Sequence, residues 1–321
     1  MIKAFLAQIQ LKTNLYTPMQ GDTLFGMICW MILYREGEDV LTNFLQDSKN
    51  SPQAIFSSAF PSGKIPLPLV PKSLDDEIDY SYRKRLKKEK FISVGLFQKM
   101  RNHFSIKEFQ ESKISEYKLE KNNTSHSLIH NNQHVPHNTI NRLTGMVEET
   151  DGFFFSKIDS EPDTNLDIYI SVEEKWETTI LDAFKTLGEY GFGKDSSTGG
   201  GAFEILKIEE TSLFSNNFKH GITLSPIVPK ETDPVNIFYD LFTRFGKIGS
   251  GSDIGSKSKN GFLKVPILMM KSGAFLSYPS SGYVGQLLEN VHEDKRVKHS
   301  AYSIVLGFNL ENSIILGIPE Y

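Results

Sequence analysis

The sequence predicts an α+β protein of two ferredoxin-like units in tandem, and three observations carry that prediction. Over residues 1–212 the periodicities run strand, helix, extended hairpin, helix, glycine loop, strand, once a polar stretch at about 75–150 is set aside. That series is close to a βαββαβ unit. Residues 213–321 carry a weaker series, read as a degenerate copy of the same unit. A chain of 321 residues is long enough to bury two modest domains.

The elements follow in order. Ile2 to Leu11 alternates apolar and polar side chains imperfectly and reads as the opening strand. Thr17-Pro18-Met19-Gln20-Gly21 breaks it, and Asp22-Thr23 can cap a helix carrying Leu24, Phe25, Met27, Ile28, Trp30, Met31 and Leu33. Pro52, Pro61, Pro66, Pro68 and Pro71 make the next passage rigid and extended. Residues from about 75 to 150 have the composition of an insertion with mobile parts. Gly152–Phe155 and Asp167–Val172 read as strands. Residues 174–188 place Trp176, Ile180, Phe184 and Leu187 on one helical stripe that stops at Gly188. Ala202–Ile208 is the strand after the glycine loop. The second series is a strand at Ile222–Val228, a short helix around Pro234–Phe245, and strands at Gly261–Lys271 and Tyr302–Leu310.

Composition narrows the function. Hydrophobic content of 39% and charged content of 23% belong to an ordinary globular chain. A net charge of −4 opposes attraction of the whole molecule to nucleic acid, so any such site is a local basic patch. The single cysteine, Cys29, excludes an internal disulfide and a cysteine-based zinc cluster. No signal peptide and no apolar run of bilayer length is found, which leads to the expectation of a cytoplasmic protein with no membrane partner.

The richest segment is Gly191 to Ile205, with five glycines, Lys194, and the hydroxyls of Ser196, Ser197 and Thr198. Backbone without side chains brings N–H groups close to an anion, and lysine adds charge. The lysine precedes the serines and the triple glycine Gly199-Gly200-Gly201 comes last, so this is no Walker loop. It follows a helix and leads into a strand, so it is no dinucleotide fingerprint either. The plain alternative is a flexible hairpin turn.

Weaker signals surround it. Gln20, Gly21, Asp22 and Thr23 stand at a helix start, whose free N–H groups suit a phosphate, although a cap alone explains Asp22. The run 83–90, with Arg83 and Arg85, has six cations in eight positions; it is either a solvated helix face or a contact for phosphates. His126, His130, His134 and His137 suggest a metal, but Asn131, Asn132 and Pro136 oppose one continuous helix, so no metal is expected. His137, Asn138 and Arg142 together offer groups that stack on bases and reach phosphates. No catalytic motif is present, and neither a catalytic residue nor a cofactor is expected.

Several segments together resemble a known family. TPMQGDTLFGMICW, SSAFPSGKIPLPLVPK, HNTINRLTG ahead of GFFFSK, GFGKDSSTGGGAFEI and KVPILMMKSGAF are similar to the repeat-associated RNA-binding (RAMP) superfamily of CRISPR effector complexes. The likeness is to its guide-RNA 5′-handle-binding group in the type III-A Csm complex. The resemblance implies tandem ferredoxin-like (RRM-like) units and a thumb-like hairpin within the insertion. It implies a non-catalytic subunit that holds the 5′ repeat-derived handle of the guide RNA. Its implied partners are the large polymerase-like Csm subunit and a backbone Csm subunit. It carries RNA binding onto Gly21, Asp22 and Thr23, onto Lys194 to Gly201, and onto His137, Asn138 and Arg142. Two alternatives stay open: a metal-independent repeat-processing endoribonuclease using His137, and a scaffold whose loop touches only protein.

Overall fold

A computed structural model of the protein describes residues 2–70, 79–122, 134–138, 140, 143–147, 152–214, 218–234, 238–249 and 261–311. The opening strand β1 (Ile2–Leu11) turns Phe5, Ala7, Ile9 and Leu11 inward, as its alternation requires. Helix α1 (Gly21–Glu36) follows, and Gly37 at φ +91° turns the chain into α2 (Glu38–Asp47). The proline-rich passage holds only the short strands β2 (Ala54–Phe56), β3 (Phe60–Pro61) and β4 (Lys64–Pro66). The insertion supplies α3 (Tyr80–Lys88), β5 (Phe91–Ser93), α4 (Val94–Met100) and α5 (Ile106–Asn122). It also supplies the hairpin strands β6 (His134–Asn138) and β7 (Phe153–Lys157). Then come β8 (Asn165–Glu173), α6 (Glu177–Tyr190) and, after the glycine loop, β9 (Phe203–Glu210).

The first sheet has the order β2-β8-β1-β9, every neighbouring pair antiparallel, with β3 also on β8. Numbered along the chain, the four main strands stand 4-1-3-2, which is the ferredoxin-like arrangement. Helices α1 and α6 pack on one another and bury Leu24, Ile28, Met31, Ile180, Phe184 and Leu187. Strands β1, β8 and β9 and helices α1 and α6 form where the periodicities predict them, and α2 is an element they did not predict.

The second unit contains β10 (His220–Thr223), β11 (Leu241–Arg244), β12 (Ile267–Met270) and β13 (Phe275–Ser277). It continues with β14 (Tyr283–Val284), β15 (Leu287–Leu288), β16 (His299–Ser300) and β17 (Ser303–Phe308). Four of these form an antiparallel sheet, β13-β10-β17-β14, while β11–β12 and β15–β16 are separate ribbons. The helix expected at 234–245 does not form over the described residues 238–245. Phe238 bridges to Phe275 and Leu241–Arg244 is β11, because Leu241 to Phe245 alternates exposed and half-buried positions with the period of a strand. Among the described residues no α-helix lies beyond Tyr190.

The insertion is less separate than its composition suggests. Strand β5 pairs with β4, and Phe97, Met100, Phe104 and Phe109 are buried in the main core. Phe97 and Phe104 both meet Phe308 of β17, and Arg101 Nε donates to the Gly307 carbonyl at 2.8 Å. One continuous apolar cluster runs from Phe5, Ile9 and Phe184 to Ile222, Phe275, Leu306 and Phe308, so the two sheets share a core.

Candidate nucleic-acid interface

The loop between α6 and β9 is held in shape by left-handed backbone at Gly191, Gly193, Asp195, Gly199 and Gly201. Glycine is required at 201: a Cβ there would stand 2.2 Å from the Phe192 carbonyl oxygen. The loop is tied to the segment that follows β1. Gly201 N–H donates to the Asn14 carbonyl at 2.9 Å, Ala202 N–H to Thr13 Oγ1 at 2.9 Å, and Lys194 N–H to Thr17 Oγ1 at 3.0 Å. Ser196–Thr198 forms one 3-10 turn, whose first N–H groups are left over by its own bonding.

The β6–β7 hairpin meets this loop. Lys194 Nζ donates to Ser156 Oγ at 2.5 Å and lies 5.2 Å from the centre of the Phe154 ring. His137 stacks on Phe154 with ring centres 5.2 Å apart and planes 11° from parallel, and Tyr16 approaches His137 edge-on at 6.2 Å. His137 Nε2 stands 3.8 Å from Asp195 Oδ2. Between loop and hairpin lies a cleft of about 220 Å³ lined by Thr13, Asn14, Tyr16, His137, Asp195 and residues 198–200.

Of the residues expected from the sequence, Lys194, Ser196, Ser197, Thr198, Gly199, Gly200, Gly201 and His137 are thus brought together. Asn138 is the next residue on β6, exposed and opposite Phe153. Arg142 lies outside the described residues, as do His126 and His130. His134 and His137 project from opposite faces of β6, so this strand does not unite them. Arg83 and Arg85 belong to the α3–α5 pair, where the Arg85 guanidinium sits 3.6 Å over the Tyr117 ring.

The start of α1 is a correction. A Cβ on Gly21 would lie 2.1 Å from the Phe56 carbonyl oxygen, and Gln20 Oε1 is buried. Asp22 is buried with Oδ2 2.8 Å from Arg244 Nε, and Arg244 also bonds Thr23 Oγ1. Burial pushes the Asp22 carboxyl up, and Arg244 pulls it back. Burial brings the Lys264 ammonium down to about 8, and its Nζ donates to the Lys298 carbonyl at 2.7 Å. His299 is held down at about 3 by burial, then by Lys264 and Arg244. Its 3.6 Å approach to Asp22 is therefore not an ion pair at neutral pH. Residues 20–23 join α1 to the C-terminal unit through Arg244, and the N–H groups of Gln20 and Thr23 are bonded to the Pro18 and Gln20 carbonyls.

The sequence reading missed Thr13, Asn14, Tyr16, Phe154 and Ser156, and took in Asp195 only as part of the range Lys194 to Gly201. Thr13-Asn14, a polar gap between Leu11 and Leu15, and an aspartate among glycines were the available signals. Among the described residues no group of three or more His, Cys, Asp or Glu is arranged to hold a metal, and no helix is long and apolar enough to cross a membrane.

No family model matches the chain. A CRISPR system protein Csm4 from Thermococcus onnurineus is 25% identical over 229 residues, 66% of this chain and 71% of that protein. A chain of the Csm3–Csm4 subcomplex of the type III-A CRISPR-Cas interference complex superposes with a TM-score of 0.56 at 16% identity. That match covers 94% of this chain and 99% of the other. A chain of the Csm1–Csm4 cassette in complex with AMPPNP gives 0.56 at 18% identity over 96% and 99%. The chain resembles Csm4 in sequence and in fold. The likeness in fold extends over 94–96% of the chain, and with the sequence match it bears out the family resemblance read from the sequence motifs.

Proposed function

We propose that this chain is the Csm4-type subunit of a type III-A CRISPR interference complex. It holds the 5′ repeat-derived handle of the guide RNA without cutting it, and it docks the large polymerase-like subunit to the backbone. The observation that carries the reading is the meeting of glycine loop and β6–β7 hairpin on one cleft, in a chain similar to Csm4. Lys194 supplies local charge to a molecule of net charge −4, the loop supplies N–H groups and hydroxyls for phosphates, and His137 and Tyr16 supply aromatic surface for bases. The solved relatives contain Csm4 with Csm1 and with Csm3, which supports these two partners. Exposed apolar side chains on β11–β12 and its continuation, Leu241, Phe245, Leu263 and Leu268, offer surface for docking.

Coexpression with its partner subunits and guide RNA tests the reading. Lys194→Ala with Ser196→Ala and Ser197→Ala should lower guide-RNA retention several-fold and make it less dependent on salt, while the subunits still assemble. Full retention and undiminished protection of the handle in this variant would sink it. Repeat cleavage is the second reading, favoured only by His137 on the wall of the cleft. Metal-independent cutting of labelled repeat RNA at one position, lost in His137→Ala, would put catalysis in place of binding.

A further inference from the structure

Asp195 is out of place in a phosphate cradle, since a carboxylate on its wall repels the ligand. The loop itself does not use that side chain. Its bonds at this position come from the Asp195 backbone carbonyl, which accepts from Thr198 N–H at 3.0 Å, Gly200 N–H at 2.8 Å and Thr198 Oγ1 at 2.9 Å. The side chain lines the cleft. Its Oδ2 faces His137 Nε2 across 3.8 Å, too far for a hydrogen bond. Both atoms are buried without a hydrogen-bond partner, an arrangement that costs free energy until something bonds them. The His137–Phe154 stack and the Tyr16 ring flank the same space, with Lys194 Nζ beside Phe154.

We propose that this cleft is a subsite for one unstacked guanine base of the bound RNA, with Asp195 as the residue that selects it. The proposal rests on the reading of the glycine loop as an RNA contact. Guanine presents two adjacent donors, N1–H and the 2-amino group, next to the acceptor O6. A carboxylate accepts both donors side by side, and His137 in its Nε2–H tautomer donates to O6. Adenine and cytosine each offer one exocyclic donor beside a ring nitrogen whose lone pair faces the carboxylate. Uracil offers one donor between two carbonyls. Uracil can also meet both unpartnered atoms, through N3–H and O4, and guanine alone adds a second donor to the same carboxylate.

The test is fluorescence anisotropy of the full chain with labelled heptauridylate and with the same oligomer carrying one central guanosine, inosine, adenosine or cytidine. The guanosine oligomer should bind roughly tenfold or more tighter than the adenosine, cytidine and all-uridine oligomers. Inosine, which lacks the 2-amino group, should fall between. Asp195→Asn should abolish the guanosine advantage, while heptauridylate binding holds or strengthens because a repelling charge is gone. Asparagine tolerates the φ of +63° at this position, so the loop keeps its shape. Equal affinity of the unmodified chain for all five oligomers, or a guanosine preference that survives Asp195→Asn, would overturn the guanine subsite while leaving RNA binding intact. Failure of the unmodified chain to bind any oligomer would defeat both the subsite and the RNA reading of the loop.

Discussion

Asp22 enters the fold on the first turn of α1, where Arg244, Lys264 and His299 converge on it from the far end of the chain. Asp22, Lys264 and His299 are each held away from their ordinary titration range mainly by burial, and the signs differ. His299 is depressed to about 3 from 6.5, so the unfolded chain binds the proton first as pH falls. Its contribution is full above pH 6.5 and is lost between 6.5 and about 3. Lys264, lowered to about 8 from 10.5, adds stability only as pH climbs from 8 to 10.5. Asp22, raised by burial, runs the other way and loses its contribution as pH rises through its elevated value. Urea midpoints taken at pH 7, 5.5 and 4 should therefore fall, and His299→Gln should flatten that fall. An unchanged slope in His299→Gln would assign the acid sensitivity to other groups.

At the level of elements, the glycine loop and the β6–β7 hairpin make the site together. Gly201 combines φ +69° with a carbonyl where a Cβ would go, so Gly201→Ala should cost at least about 1–3 kcal/mol and shift the loop off Asn14. Thermal unfolding together with RNA retention reads both effects; a variant as stable as the parent would show the turn to be adaptable. The loop was legible because its special conformations demand glycine locally, and Phe153-Phe154-Phe155 was legible as a strand for similar reasons. Their meeting was not. The Lys194–Ser156 and His137–Asp195 contacts join positions tens of residues apart, and no local periodicity encodes which strand face a hairpin turns toward a loop. Gln20–Thr23 misled for the same reason: a capping pattern reports a helix start, and only tertiary packing decides whether that start is open.

For the whole molecule, the first unit was readable as an order of elements, because α6 keeps the helical period and breaks such as the glycine loop separate the others. The second was not, since its short strands carry apolar runs without alternation: β17 is buried at every position, and β10 likewise. The shared core and the Asp22–Arg244 pair also bear on how the chain comes to be folded. Synthesis runs from residue 1, so Asp22, Phe97 and Phe104 leave the ribosome long before Arg244, Lys264 and Phe308 exist to cover them. The N-terminal sheet has all its strands by Glu210 but keeps apolar surface open until the core residues from Ile222 to Phe308 follow. A chain stopped at residue 212 should accordingly be digested rapidly by trypsin under conditions where the full chain resists, and a protease-resistant 1–212 fragment would show that the ferredoxin-like unit matures without its successor.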